Sequence, residues 1–295
     1  MPAEIISSQM RSDSVAQSNL RAVLVVLLAF CVFSATDAIV KLLAQRFAVP
    51  QVTFMVTSAA LVLIVAQAAI TRNGGVLLPR YPGLALLRAL LLAADTILIH
   101  YAFAVLPLAE AYLLAFLTPL MVAVLAFVLL GERLSMLAWS GVLIGFVGVT
   151  VALRPGVEPL NLGHAAAVGS ALLFALSLIL LRRAKPGESD GALVATLLAV
   201  LAALALVVAL VNGGLTPVTI TDVGLACLAG AFMFAGHMLL VRAFRIGKAS
   251  IVAPFQYSQI IWGMVYGGLL FATPVEFHTL AGAAIIILSG WLVLK

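Results

Sequence analysis

The chain has 295 residues, 64% of them hydrophobic and 9% charged, with a mean hydropathy of +1.24. No soluble fold hides that much apolar surface, so the composition predicts a protein whose solvent is lipid. The net charge of +5 comes without a basic run interleaved with aromatics, which argues against a nucleic-acid surface.

A bilayer core of about 30 Å needs roughly 20 apolar residues in a helix. Residues 1–20 form a polar tail, expected to be cytoplasmic and disordered at its start. Ten apolar runs follow: Arg21–Ala44, Val52–Ile70, Leu84–Phe103, Leu108–Leu130, Leu137–Leu153, Gly163–Leu181, Ala192–Val211, Val223–Phe244, Ala249–Ala272 and Phe277–Leu294. The first follows Arg21 as a signal peptide would. It is too long for that, and nine similar runs succeed it, so it is read as a retained span. Turn residues separate the runs, among them Pro50, Asn73-Gly74-Gly75, Pro155-Gly156, Pro186-Gly187 and Asn212-Gly213-Gly214. The expected fold is an all-α polytopic membrane protein. Its connections are too short for an aqueous catalytic domain, so function must lie between the helices.

Orientation follows from lysine and arginine placement. Arg11, Arg21, Arg72, Arg80, Arg88, Arg133, Arg182, Arg183, Lys185, Arg242, Arg245, Lys248 and Lys295 fall on the side of the termini, and only Lys41, Arg46 and Arg154 on the other. The positive-inside rule then places both termini in the cytoplasm.

The chain also repeats itself. At one ungapped offset Phe33 falls on Phe174, Thr36 on Ser177, Lys41 on Arg182, Ala102-Phe103 on Ala243-Phe244, and Gly141 on Gly282. Five spans thus align with five spans. An odd number per half forces the second half to enter the membrane upside down, the arrangement of many secondary transporters. The halves are 21–154 and 163–295, joined by a linker at 155–162.

At this point a resemblance can be stated. Pro119 is followed by Gly131-Glu132 and then by Gly141, Gly145 and Gly148. In this pattern and over both halves the chain resembles the ten-span EamA type of the drug/metabolite transporter superfamily. In overall likeness it is most similar to bacterial amino-acid exporters of that family, which implies the inner membrane as its location. The second half departs from the pattern: the expected Gly-Glu falls on Ala272-Thr273, with a glutamate only at Glu276.

Polar side chains facing lipid are expensive, so those within spans mark the bundle interior. The first, third, fourth, sixth, eighth and ninth spans carry them, and the others are nearly bare, which predicts a central cavity lined by these six. At 1.5 Å per residue, Asp95, Pro119 and Gln256 to Gln259 lie near mid-depth, and His237 about 5 Å to the cytoplasmic side. Asp37, Lys41, His100 and Glu110 lie in the outer half. The densest group is Gln256, Tyr257, Ser258 and Gln259, with Pro254 freeing a carbonyl below it. Amides and hydroxyls at that depth suit a zwitterion. Trp262, Tyr266, Tyr112 and Phe116 are available as its apolar wall or as core packing.

The remaining candidates each have two readings. Asp37 and Lys41 share a helix face at i, i+4, as an ion pair or as substrate contacts. Asp95 is either a hydrogen-bonded packing residue or a cation or proton site. His237 is a proton shuttle or a helix–helix contact. His100 and Glu110 are candidates for coupling, although Glu110 can also serve as a dipole partner at a helix start. Thr118 and Ser177 are candidate contacts, with Pro119 and Pro254 as hinges. Glu132-Arg133 is expected to cap the turn before the fifth span. Ser140, Gly141, Gly145 and Gly148 form a small-residue face for contact within the bundle or with a second subunit.

These readings converge on alternating-access export of amino acids, neutral and aromatic ones included. Export of drugs or other small metabolites is the rival. A membrane-embedded enzyme would need a convergent nucleophile, base or metal constellation. Four scattered histidines and the two cysteines, Cys31 and Cys227, offer no such constellation and no ligand spacing, so neither a catalytic site, a metal nor a cofactor is expected.

Overall fold

The computed structural model describes residues 2–70, 77–106, 108–154, 156, 159–184, 187–271 and 276–294, with the side chains at 2–16, 100, 103–104 and 108–111 outside the description. Every regular element among these residues is helical: α1 Pro2–Ala44, α2 Val49–Ile70, α3 Pro82–Val105, α4 Leu108–Ala115, α5 Thr118–Leu125, a π-turn Ala126–Leu130, α6 Met136–Leu153, α7 Leu162–Arg182, α8 Asp190–Val211, α9 Ile220–Ile246, α10 Ala249–Val252, a 3-10 turn Ala253–Tyr257, α11 Ser258–Phe271 and α12 Phe277–Val293. Eight stretches among the described residues are long and apolar enough to cross a membrane, and α12 is a shorter apolar helix of 17 residues. The tail expected to be disordered instead continues α1 back to Pro2. Between Pro2 and Ala44 there is neither glycine nor a second proline to stop a helix.

Side chains fix where several helices begin. Ser135 accepts from the Ala138 N–H at the start of α6, and Ser189 does the same for Ala192 at α8. Thr219 and Asp222 form a reciprocal capping box at α9.

Two helical runs are broken, and proline breaks both. Pro119 cannot donate to the Ala115 carbonyl, so α4 ends and α5 starts afresh. The Thr118 hydroxyl donates to that freed carbonyl at 2.8 Å and reaches the Ala171 carbonyl of α7 at 3.3 Å. Pro254 likewise leaves the Ser250 carbonyl without its helical donor, and the chain tightens into the 3-10 turn between α10 and α11.

The helix pairings are α1 with α9, α3 with α7, α2 with α8 and α9, α3 with α8, α6 with α12, α1 with α11 and α5 with α7. Exchanging the two halves converts this set into itself: α1–α9 becomes α7–α3, α2–α9 becomes α8–α3, and α1–α11 becomes α7–α5. The pairs α2–α8 and α6–α12 map onto themselves. The pairing therefore carries two-fold symmetry between the halves.

The small-residue face of α6 lies against α12 of the same chain. A methyl group added at Gly141 would meet the Ser289 carbonyl at 2.9 Å, and one added at Gly145 would meet the Tyr257 ring at 2.6 Å. Of the two expected roles for this face, contact within the bundle is the one realised. With no side chain between them, the two backbones approach closely and gain van der Waals contact.

Candidate substrate pathway

The two proline-broken runs meet inside the bundle, where α10 and the 3-10 turn pack against α5. Tyr112 and Phe116 stack at 6.5 Å, and Phe116 meets the Tyr257 ring edge-on at 6.2 Å. This aromatic row links α4 to the 3-10 turn. Tyr257 is fully buried with Phe116, Val149 and Ile286, whereas Tyr112 is 41% exposed. Of the apolar wall expected here, Phe116 is therefore buried and Tyr112 open.

The segment from the 3-10 turn into α11 holds the main polar signal. Gln256 Oε1, Tyr257 OH, Ser258 Oγ and Trp262 Nε1 are all buried without a hydrogen-bond partner in the protein. Each such atom costs on the order of 1–3 kcal/mol if nothing satisfies it. Four such atoms fall within seven residues of the chain. Gln259 is half-buried on the same turn of helix.

The other candidates divide. Asp95 is bonded across helices, its carboxylate accepting from the Ser170 hydroxyl of α7. That partner lies far along the chain and is invisible to a search along α3. The expected Asp37–Lys41 ion pair does not form: neither side chain has an ion-pair partner among the described residues. Lys41 instead places its ammonium 4.6 Å from the Phe271 ring centre, since the negative face of an aromatic ring attracts a cation. Asp37 is exposed. Ser177 is fully buried, and its hydroxyl donates back to the Phe174 carbonyl at 2.8 Å. His237 meets Phe33 edge-on at 4.9 Å, and its Nδ1 has no partner. The side chains of His100 and Glu110 lie outside the described residues.

Glu132 does not cap the helix that follows it, because Ser135 does. Gly131 turns the chain with φ +67°, a left-handed conformation that glycine adopts without strain. The Glu132 carboxylate is thereby aimed into the other half. It accepts from the backbone N–H groups of Ala249 at 3.2 Å and Ser250 at 3.0 Å, from Ser250 Oγ at 2.7 Å, and from Arg182 Nε at 3.3 Å. It thus caps α10, across the bundle. Nearby, Arg182 donates to the Arg245 carbonyl, Arg245 pairs with Asp190, and Asn19 accepts from the Lys248 N–H. The opposite end carries a smaller set, with Arg46 paired to Asp222 at 2.7 Å and Gln51 bonded to Thr216.

Arg88, counted with the charges on the side of the termini, lies within α3. It is 1% exposed within α3. The available signal was its setting, Ala-Leu-Leu-Arg-Ala-Leu-Leu-Leu, an arginine flanked on both sides by apolar residues.

Long apolar helices joined by short connections define a polytopic membrane protein. The EamA-like transporter family model matches residues 20–154 and again 161–295, and the chain belongs to that family. It is similar to a pseudopaline exporter, CntI, of Pseudomonas aeruginosa, 26% identical over 269 residues, which span 90% of this chain and 93% of that one. An S-adenosylmethionine uptake transporter of Rickettsia bellii is 28% identical over 208 residues, 70% of each chain. A riboflavin transporter of Vibrio cholerae is 26% identical over 183 residues, 62% of this chain and 61% of its own. One solved structure shares the fold, with a TM-score of 0.80 over 92% of this chain and 96% of its own at 18% identity. The chain is a small-molecule transporter of a membrane, and not an enzyme.

Proposed function

We propose that the protein exports amino acids, neutral and aromatic ones included, by alternating access across a bacterial inner membrane. The observation that carries this reading is the group of unsatisfied polar atoms at Gln256, Tyr257, Ser258 and Trp262. Amide, hydroxyl and indole groups beside aromatic rings match a solute that is zwitterionic at one end and apolar at the other. The family membership supports transport of a small solute.

The architecture we infer is ten spans: the eight long helical stretches, the run from Ala249 to Phe271, and α12. Two five-span halves, 21–154 and 163–295, would then be inverted with both termini in the cytoplasm. The symmetric helix pairing supports this arrangement. Pro119 and Pro254 are the hinges, because each removes a helical hydrogen bond where the halves meet. Asp37 and Asp95 are the candidates for ion or proton coupling, together with His100, Glu110 and His237.

The test is counterflow of labelled amino acids in liposomes containing the purified protein. Uptake of phenylalanine and of small neutral amino acids is expected, and absence of accumulation for every amino acid would reject the substrate class. Export of other small metabolites is the second reading, favoured by the variety of solutes named for the relatives. Replacing both Gln256 and Gln259 with leucine should cut transport at least about tenfold, since one hydrogen bond lost to a charged group corresponds to that much or more. The melting midpoint should stay near wild type. Unchanged transport would remove this segment from the solute site.

A further inference from the structure

The α1 helix carries two opposite charges that do not satisfy each other. Asp37 and Lys41 stand one turn apart, at i and i+4, with Cβ atoms about 5–6 Å from each other. Helical side chains lean toward the N-terminus, so Lys41 leans back toward Asp37. The two still do not pair. Neither side chain has an ion-pair or hydrogen-bond partner among the described residues, and the Lys41 ammonium rests over the Phe271 ring of α11 instead.

The faces of α1 fix what these charges front. Leu20, Leu24 and Leu28 are each at least half exposed and form one stripe, as a side turned to lipid does. On the opposite side Val26, Phe30, Phe33 and Asp37 follow one another at i, i+4, i+7 and i+11. Val26 and Phe30 are buried in the main core with Val122 and Ala126, and Phe33 meets the His237 ring of α9. Asp37 continues this inward face and yet is exposed. It lies seven residues before α1 ends at Ala44, about 10 Å along the helix. A carboxylate at that depth, on the face turned away from lipid, fronts a water-filled opening inside the bundle.

We propose that Asp37 and Lys41 form a charge-reading site for the transported solute, in which Asp37 takes an ammonium group and Lys41 a carboxylate. An α-amino acid carries both groups on one carbon, a span that fits between two charges one helical turn apart. Each contact is a charge-assisted hydrogen bond, the stronger kind. A zwitterion satisfies both side chains at once and adds no net charge to the opening. The site follows from the geometry of α1, whereas the identity of its occupant rests on the amino-acid reading above. Asp37 then contacts the solute itself, which leaves ion or proton coupling to the other candidates.

The test measures binding to the purified protein by ligand-induced thermal stabilisation. The probes are phenylalanine, 3-phenylpropionate, which lacks the ammonium, and 2-phenylethylamine, which lacks the carboxylate. The wild type should bind phenylalanine at least about tenfold tighter than either, a ratio set by one charge-assisted hydrogen bond. In Asp37→Asn the advantage over 3-phenylpropionate should fall to about one, while the advantage over 2-phenylethylamine persists. Lys41→Gln should do the reverse. A merely structural role would weaken all three probes together and leave both ratios alone. If Asp37→Asn does not fold, Asp37→Glu keeps the charge but moves it by a methylene, and should still lower the first ratio. A wild type that does not distinguish the three probes, or variants that keep both ratios, would overturn the proposal. If 2-phenylethylamine binding depends on Asp37 while no amino acid is transported in liposomes, the amino-acid reading fails and the ammonium site stands. If phenylalanine is transported and both variants keep both ratios, the site fails and the amino-acid reading stands.

Discussion

Glu132→Ala is expected to destabilise the folded protein by about 3 kcal/mol, the lower end of what removing one partner of a buried ion pair costs. The carboxylate is only 9% exposed and sits where four donors converge. Two are the backbone N–H groups of Ala249 and Ser250 at the start of α10, which has no helical partner for them there. The others are the Ser250 hydroxyl and the Arg182 guanidinium. Alanine leaves all four short of an acceptor. Arg182 is 31% exposed and keeps its bond to the Arg245 carbonyl, so the loss should not reach the upper end of the range. Glu132→Gln should fall between, since an amide oxygen can still accept from the α10 N–H groups but gives Arg182 no charge. Denaturant or thermal unfolding in detergent micelles measures the series. An alanine variant within about 0.5 kcal/mol of wild type, the usual spread for surface changes, would show that Glu132 does not join the halves.

Gly282→Val should be at least as damaging, by a different route. A Cβ at Gly282 would lie 2.6 Å from the Gly148 carbonyl and 2.7 Å from the Ala152 backbone nitrogen. Both are main-chain atoms of α6, so no rotamer change relieves the clash. The helices must separate, and that costs the contacts along their whole shared length. Overpacking commonly costs about 1–3 kcal/mol and more where backbone must move. We expect the upper part of that range, seen as a lowered melting midpoint and earlier proteolysis near α12. Gly224→Ala is the control, because its added methyl meets nothing within 4 Å. It should be neutral or raise stability by up to about 1 kcal/mol, the ordinary advantage of alanine over glycine in a helix. Equal behaviour of the two variants would mean that α6 and α12 are not in close contact.

Much of this was legible along the chain because a membrane imposes simple rules. Length, hydropathy and turn residues locate apolar helices, since a bilayer demands a minimum apolar length and satisfied backbone groups. Pro119 and Pro254 announced broken helices for a local reason, the missing N–H. The Gly141, Gly145 and Gly148 spacing announced a close helix contact, though not with which helix. The Gln256 to Gln259 group was visible as a polar cluster inside an apolar run.

What the sequence by itself determined is therefore the class: an all-helical membrane protein, its repeat, its transporter family, and where along the chain polar groups interrupt the helices. The helices, the repeat and the polar interruptions depend on local composition and spacing, and the family on a resemblance of motif. Only the tertiary structure decided the partners. Ser170 bonds Asp95 from 75 residues away, and Glu132 caps a helix that begins 117 residues later. Lys41 chose a ring over the carboxylate one turn from it. Arg88, counted by its charge on the side of the termini, is buried by the packing of α3 against its neighbours. Partner choice follows from which helix faces meet, and apolar helices of similar composition do not encode that in any short stretch.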